Sequence, residues 1–147
     1  MKKSILALSM ILTIGLSAAL ANEETKVDPR VLSAFQKEFS FAKNVKWNIT
    51  GELTQVRFCL NDQGFVAWYN ADAELISTAR NILYMHLPLS VIKSLEEKYS
   101  NADLTSILEV TRDNETTYYI QAEEKSKKLL LQATPFGNIT VVKKIKQ

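Results

Sequence analysis

The stretch Leu53-Thr54-Gln55-Val56-Arg57-Phe58-Cys59-Leu60, followed by Asn61-Asp62-Gln63-Gly64, decides how this chain reads. Val56, Phe58 and Leu60 alternate with Gln55, Arg57 and Cys59, the period of a strand with one buried face. The next four residues are turn formers, and Gly64 stands where a type I turn with a G1 bulge needs its left-handed residue. A hairpin is therefore expected, returning through Phe65–Asn70. Ala71-Asp72-Ala73-Glu74 then leads into a further strand at Leu75–Ile82, and Val45–Ile49, closed by Thr50-Gly51, supplies one upstream.

A helix precedes these strands. Asp28-Pro29 reads as an N-cap followed by proline at the first helical position. Val31, Phe35 and Phe39 recur every four residues with Leu32 beside them, which predicts an amphipathic helix to about Ala42. The pattern then recurs. Pro88 opens a second helix carrying Val91, Ile92, Leu95 and Tyr99, and strands are expected at Leu104–Arg112, Thr117–Ala122, Lys128–Ala133 and Ile139–Ile145. A shift of 60 lays Val31 on Val91 and Phe35 on Leu95, and a shift of 63 lays Trp68 on Leu131, Ile76 on Ile139 and Arg80 on Lys143. Two blocks in one order imply two copies of an α-β4 unit, about 28–85 and 86–147, separated by a net insertion of three residues.

Each unit has a one-sided helix and a sheet that needs a cover, so an α+β fold is expected. Joined edge to edge, the units give one curved antiparallel sheet of about eight strands with both helices on one face, which hides two strand edges. Val56, Phe58, Leu60, Val66, Trp68, Ile76 and Thr78 are expected under the first helix. Leu108, Val110, Tyr118, Ile120, Leu129, Leu131, Ile139 and Val141 are expected under the second. The opposite face should then carry Gln55, Arg57, Tyr69, Ser77, Glu109, Thr111, Tyr119, Gln121 and Gln132. Tyr and Arg on a polar surface are the residue types that dominate binding hot spots. Arg57, Tyr69, Glu109, Tyr119, Gln121 and Gln132 are therefore the candidate partner contacts.

The chain's beginning is written for export. Lys2 and Lys3 precede an apolar run from Ile5 to Leu16, and Ala19-Leu20-Ala21 has the small-x-small form a signal peptidase reads. Cleavage after Ala21 would leave a polar, flexible leader at 22–27 and a single domain at 28–147, delivered to the periplasm or beyond. Residues 1–21 hold two lysines and no acid, so the remaining 126 residues carry sixteen charges of each sign. A neutral domain has no electrostatic case for nucleic acid or an anionic membrane. The expected partner is another envelope protein or peptide.

Catalytic chemistry is hard to assemble from what remains. Cys59 is the only cysteine and His86 the only histidine, so no His-rich or Cys-rich metal site can form. No Gly-rich phosphate loop is present, and nothing nominates a pair of acids. Cys59 would be reactive only with a lowered pKa, for which Arg57 on the same strand face is the one local feature. No cofactor, metal or catalytic group is expected. The readings that stay open are a non-enzymatic binding module, a small-ligand or peptide carrier or sensor, and an enzyme whose groups converge only in space.

With these positions placed, the chain resembles the PepSY-like, β-lactamase-inhibitor-like secreted proteins common in Bacteroidetes. Phe35-x3-Phe39 with Val45-Lys46-Trp47, the Trp68-Tyr69 strand end before an acidic turn, and Leu87-Pro88-x2-Val91-x3-Leu95-x3-Tyr99 carry the resemblance, which spans most of residues 28–145. It implies a tandem α-β4 repeat with a curved eight-stranded sheet whose concave face, in the inhibitor that names the fold, grips a target enzyme. PepSY relatives imply, by analogy, regulation of peptidases or ligand sensing in the envelope. Ala73 departs from the pattern at a turn position that glycine would fill more comfortably.

Overall fold

The computed structural model describes residues 26–146; the leader, its cleavage site and residues 22–25 lie outside the described residues. The chain runs α1 (Pro29–Glu38), β1 (Lys43–Thr50), β2 (Leu53–Leu60), β3 (Gln63–Tyr69), β4 (Leu75–Asn81), a 3-10 turn (Tyr84–His86), α2 (Leu89–Tyr99), β5 (Asp103–Arg112), β6 (Glu115–Glu124), β7 (Lys127–Ala133) and β8 (Ile139–Lys146). The strands form one antiparallel sheet in chain order, and both helices cover the same face of it. Among the described residues no helix is long and apolar enough to cross a membrane.

Local chemistry explains the helix ends. The Asp28 carboxylate accepts the Arg30 backbone N–H at 2.8 Å, satisfying one of the donors a helix start leaves free. The Arg30 side chain, and then this N–H, hold the Asp28 carboxyl below its ordinary pKa. Val27, expected in the flexible leader, is buried with Val31 and Phe35. The helix ends at Glu38, short of Ala42, because Phe39 leaves the helical conformation while its N–H still reaches the Phe35 carbonyl at 2.8 Å. Its ring stays in the core, 4.7 Å from Phe58 between centroids. In α2, Pro88 is the cap itself, and the Val91 N–H donates to its carbonyl at 2.9 Å.

The hairpin turns differ from expectation in one decisive respect. Leu60 pairs directly with Gln63, and Asn61 and Asp62 form a two-residue turn at φ 49° and 63°. Both central residues at positive φ is the type I′ geometry whose twist matches the strands. Gly64 is therefore part of β3 and is not the left-handed turn residue. Val56 stands opposite Ala67, and Phe58 opposite Phe65. Phe65, Ala67 and Tyr69 thus face the helices, while Val66 and Trp68 face away. Asp113-Asn114, at φ 49° and 63°, does the same to the β5–β6 hairpin. Leu108 stands opposite Tyr119, and Val110 opposite Thr117, on the helix-free face.

Three apolar clusters result. Under α1 lies an aromatic core in which Phe35 meets Trp47 and Phe58 edge-on, each at 5.1 Å. Under α2 the core is largely aliphatic, with Val91 and Leu95 over Ile107, Ile120, Leu129 and Leu131. The third, Val66, Trp68, Ala79, Leu108 and Val110 with Ile76 and Tyr119 against it, lies on the helix-free face across the β4–β5 seam. On the helix side the same seam is polar. Thr78 opposes Thr111 there, and Arg80 opposes Glu109 with an ion pair of 2.7 Å.

The correspondence between the halves is also sharper than a shift of 63. Strands β1 and β2 have eight residues each, and β5 and β6 have ten. Two added residues on each strand carry the offset from 60 at the helices to 64 beyond the hairpin, a net four rather than three. An even number is required, because an odd one moves side chains to the other face. A shift of 63 would set Trp68, on the helix-free face, upon Leu131 under α2. At 64 the turns Asn70–Glu74 and Thr134–Asn138 correspond, with matching bonds from Ala73 N–H to the Asn70 carbonyl at 3.1 Å and from Gly137 N–H to the Thr134 carbonyl at 3.0 Å. Ala73 and Gly137 are both left-handed, at φ 62° and 88°.

Each of these turns braces a helix. Arg30 Nη2 donates to the Ala71 carbonyl at 3.1 Å, and the Ser90 hydroxyl donates to the Pro135 carbonyl. The second contact is close enough to exclude any side chain at Gly137, where a Cβ would lie 2.6 Å from the Ser90 carbonyl oxygen. Gly51 is also left-handed, at φ 61°, but open around its Cα. Gly137→Ala should therefore cost about 2 kcal/mol or more, strain plus clash, and Gly51→Ala only about 1 kcal/mol. Urea denaturation of the two variants checks this; equal losses would remove the packing role of Gly137.

Candidate functional site

Cross-strand register lays out the helix-free face. One row runs Lys46, Arg57, Val66, Ala79, Val110, Thr117; a second runs Asn48, Gln55, Trp68, Ser77, Arg112, Glu115. A third continues Asn81, Leu108, Tyr119, Gln132, Thr140, and beside it lie Ser106, Gln121, Leu130 and Lys143. The face is therefore an apolar centre ringed by polar and cationic groups, not the evenly polar surface expected. Trp68 is only 3% exposed although no described helix lies over it. Its cluster is the weld between the two halves, and the polar and cationic ring surrounds it.

Of the candidate contacts, Arg57, Tyr119, Gln121 and Gln132 lie on this face, as do Gln55 and Ser77. Tyr119 and Gln132 are directly opposed, and Gln121 is on the same strand as Tyr119. Burial raises the Tyr119 hydroxyl pKa, with Arg112 acting against it. Arg57 lies four strands from Tyr119, roughly 19 Å at ordinary strand spacing. These residues span a surface and do not converge on a point. Arg57 Nε is buried without a hydrogen-bond partner, and Lys46 stands directly opposite Arg57.

Tyr69 and Glu109 lie on the other side, along with Thr111, because the two-residue turns reverse the assignment. Tyr69 is 1% exposed in the aromatic core, and its hydroxyl has no hydrogen-bond partner. Burial, with a smaller contribution from Glu38, pushes its pKa up to about 12. Glu109 is held by Arg80, whose guanidinium also sits 6.0 Å from the centre of the Phe65 ring. It faces Tyr118, whose hydroxyl pKa is raised by burial first and by Glu109 second. Both residues lie on the helix side of the sheet, Tyr69 in the core and Glu109 in the ion pair across the seam.

A hollow of about 240 Å³ opens near the far end of β6, β7 and β8, lined by residues that include Gln121, Leu130, Lys128, Lys143 and Ile145. Cys59, opposite Gly64, shares the helix-free face, whereas His86 ends the exposed 3-10 turn, and no hydrogen bond joins them. Glu123 is bridged to Lys128 at 3.1 Å. Among the described residues no three His, Cys, Asp or Glu side chains gather as a metal site would require.

The same architecture occurs in solved structures. A DUF2874 family protein from Bacteroides uniformis matches with a TM-score of 0.73 at 15% identity, over 82% of this chain and 89% of that one. A protein provisionally assigned to the periplasm of Bacteroides eggerthii gives 0.73 at 18%, over 82% and 88%. A BLIP-like protein from Bacteroides fragilis gives 0.72 at 20%, over 85% and 93%. At these identities the likeness is one of fold. No protein-family model and no curated protein matches the chain.

Two outcomes separate fold from surface. Tyr69→Phe removes a buried hydroxyl that bonds nothing, so stability at neutral pH should be unchanged or higher. Its raised pKa means that the neutral form is favoured in the fold: the stability it confers is whole below about pH 10 and is lost as pH rises through 12. Denaturation midpoints of Tyr69→Phe should therefore fall less than those of the wild type across that window. Trp68→Ala should cost about 3–5 kcal/mol, as in a core, despite the absence of a covering helix. A loss below about 1 kcal/mol would show that the third cluster does not weld the halves.

Proposed function

We propose that this chain is an exported, non-enzymatic binding module that holds another envelope protein against the helix-free face of its sheet. The observation that carries the reading is the composition of that face. One side of an eight-stranded sheet is left without a helix, its central apolar residues are packed into the weld, and around them stand Arg57, Arg112, Tyr119, Gln121 and Gln132. Arg and Tyr are the side chains over-represented at protein–protein hot spots. The fold shared with a BLIP-like protein and with a provisionally periplasmic one supports the reading, as does the leader ending at Ala19-Leu20-Ala21. A relation to PepSY-like proteins, and with it a regulatory role toward a peptidase, belongs to the same proposal.

A small-ligand carrier is the competing reading, and the hollow at the β6–β8 end is what supports it. Its roughly 240 Å³ is open and below the usual range of about 300–1,000 Å³ for ligand sites. The two readings part in a cross-linking experiment. A photoreactive residue placed at Tyr119 or at Gln121 should capture a defined envelope protein in the cell. The same group at Phe136 or Leu89, exposed on the helix side, should not. Capture from the helix side alone, or from neither side, would overturn the proposal.

A further inference from the structure

Strands β1 to β4 contain no aspartate or glutamate, yet they carry Lys43, Lys46, Arg57 and Arg80. Arg80 is neutralised by Glu109 across the seam, on the helix side. Lys46 and Arg57 instead stand directly opposite each other on the helix-free face, with no ion pair to either among the described residues. Like charges opposed across a strand pair are unfavourable. Arg57 adds a second unfavourable feature, since its Nε is buried without an acceptor. An unsatisfied donor on a charged group costs more than a neutral one. The neighbours on this face offer no relief, for Gln55, Val66 and Trp68 bring no negative charge.

We infer that the partner engages this end of the face through an acidic segment, setting a carboxylate between Lys46 and Arg57. A carboxylate would meet the accessible part of the guanidinium and offset the Arg57 and Lys46 charges in one contact. The edge position of β1 leaves the approach open, and Trp68, diagonal to Arg57, sets an aromatic neighbour beside the charge. Elsewhere on the face Arg112 has Asp113 at 3.7 Å and Glu115 opposite, and Lys143 stands opposite Leu130, so among the described residues of this face only Lys46 and Arg57 set two cations against each other. The inference rests on the sheet-face reading and names the chemistry of what that face holds.

The test uses the chain from residue 22 onward and a random dodecapeptide library. Selected peptides should be rich in Asp or Glu beside an apolar residue, and replacing those acids by Asn or Gln should abolish binding. Arg57→Gln should weaken them about tenfold or more and Lys46→Gln less, while Arg57→Lys restores only part of the loss. Thermal stability of Arg57→Gln should be unchanged or higher, which a purely structural role would not allow. Neutral or basic peptides, no binders, or acidic peptides indifferent to both variants would overturn the inference. So would preferential binding of inorganic phosphate or of phosphatidylglycerol vesicles. If selected peptides still compete with the cross-linked partner and depend on Tyr119 but not on Arg57, the sheet-face reading stands and only the acidic partner falls.

Discussion

Four residues at positive φ, Asn61-Asp62 and Asp113-Asn114, close the two hairpins, β2–β3 and β5–β6, whose register decides what the middle of this sheet presents to each side. A two-residue loop leaves no choice of register: the residues flanking it pair, and each pair farther along follows. Because side chains alternate with a period of two, one more residue in either loop would exchange the two faces of everything beyond it. Asn and Asp can hold the left-handed conformation more cheaply than other side chains, which is why the loops can be this short without glycine. The aromatic core under α1, the aliphatic core under α2 and the apolar weld on the far side all depend on these two loops.

The weld explains how two helix-capped units become one sheet. A strand covered by a helix needs apolar residues on the helix side only. The seam strands β4 and β5 lie between the two covered cores, and there the polarity reverses. Thr78, Thr111, Arg80 and Glu109 face the helix side, where 42% of the Arg80 side chain still reaches water, while Ala79, Leu108 and Val110 close the other side. The reversal lets the halves share a continuous ladder and gives the seam an apolar cluster of its own. A face that looks open in outline is thus apolar and buried at its centre.

This reversal marks where the chain's own letters could be read and where they could not. Apolar period in Val31, Phe35 and Val91, Leu95 located both helices, and the alternation in Leu53–Leu60 located β2 to the residue. Strand existence was legible because alternation is a local signal. Face is not, wherever it depends on a loop: Asn61-Asp62-Gln63-Gly64 is compatible with a two-residue or a longer turn, and its glycine favours the longer one. The same ambiguity moved Tyr69 and Glu109 onto the wrong surface and hid Trp68, Leu108 and Val110 from the right one. Even spacing between the halves was the signal that could have resolved it, since only an even offset keeps corresponding residues on one face.

At the centre of the helix-free face the apolar residues are consumed by the weld, so the proposed recognition falls to what surrounds them. Residues 22–147 carry equal numbers of each charge, yet the acids are absent from β1–β4 and the cations there are not. Neutrality overall with segregation across the sheet leaves the first half of the face positive without making the protein basic. Natural chains usually agree with themselves at every level, and the places where they do not are functional or strained sites. Lys46 set against Arg57, with a guanidinium nitrogen buried and unsatisfied, is such a disagreement. The contacts seen in the fold do not balance the two charges; the carboxylate proposed above would.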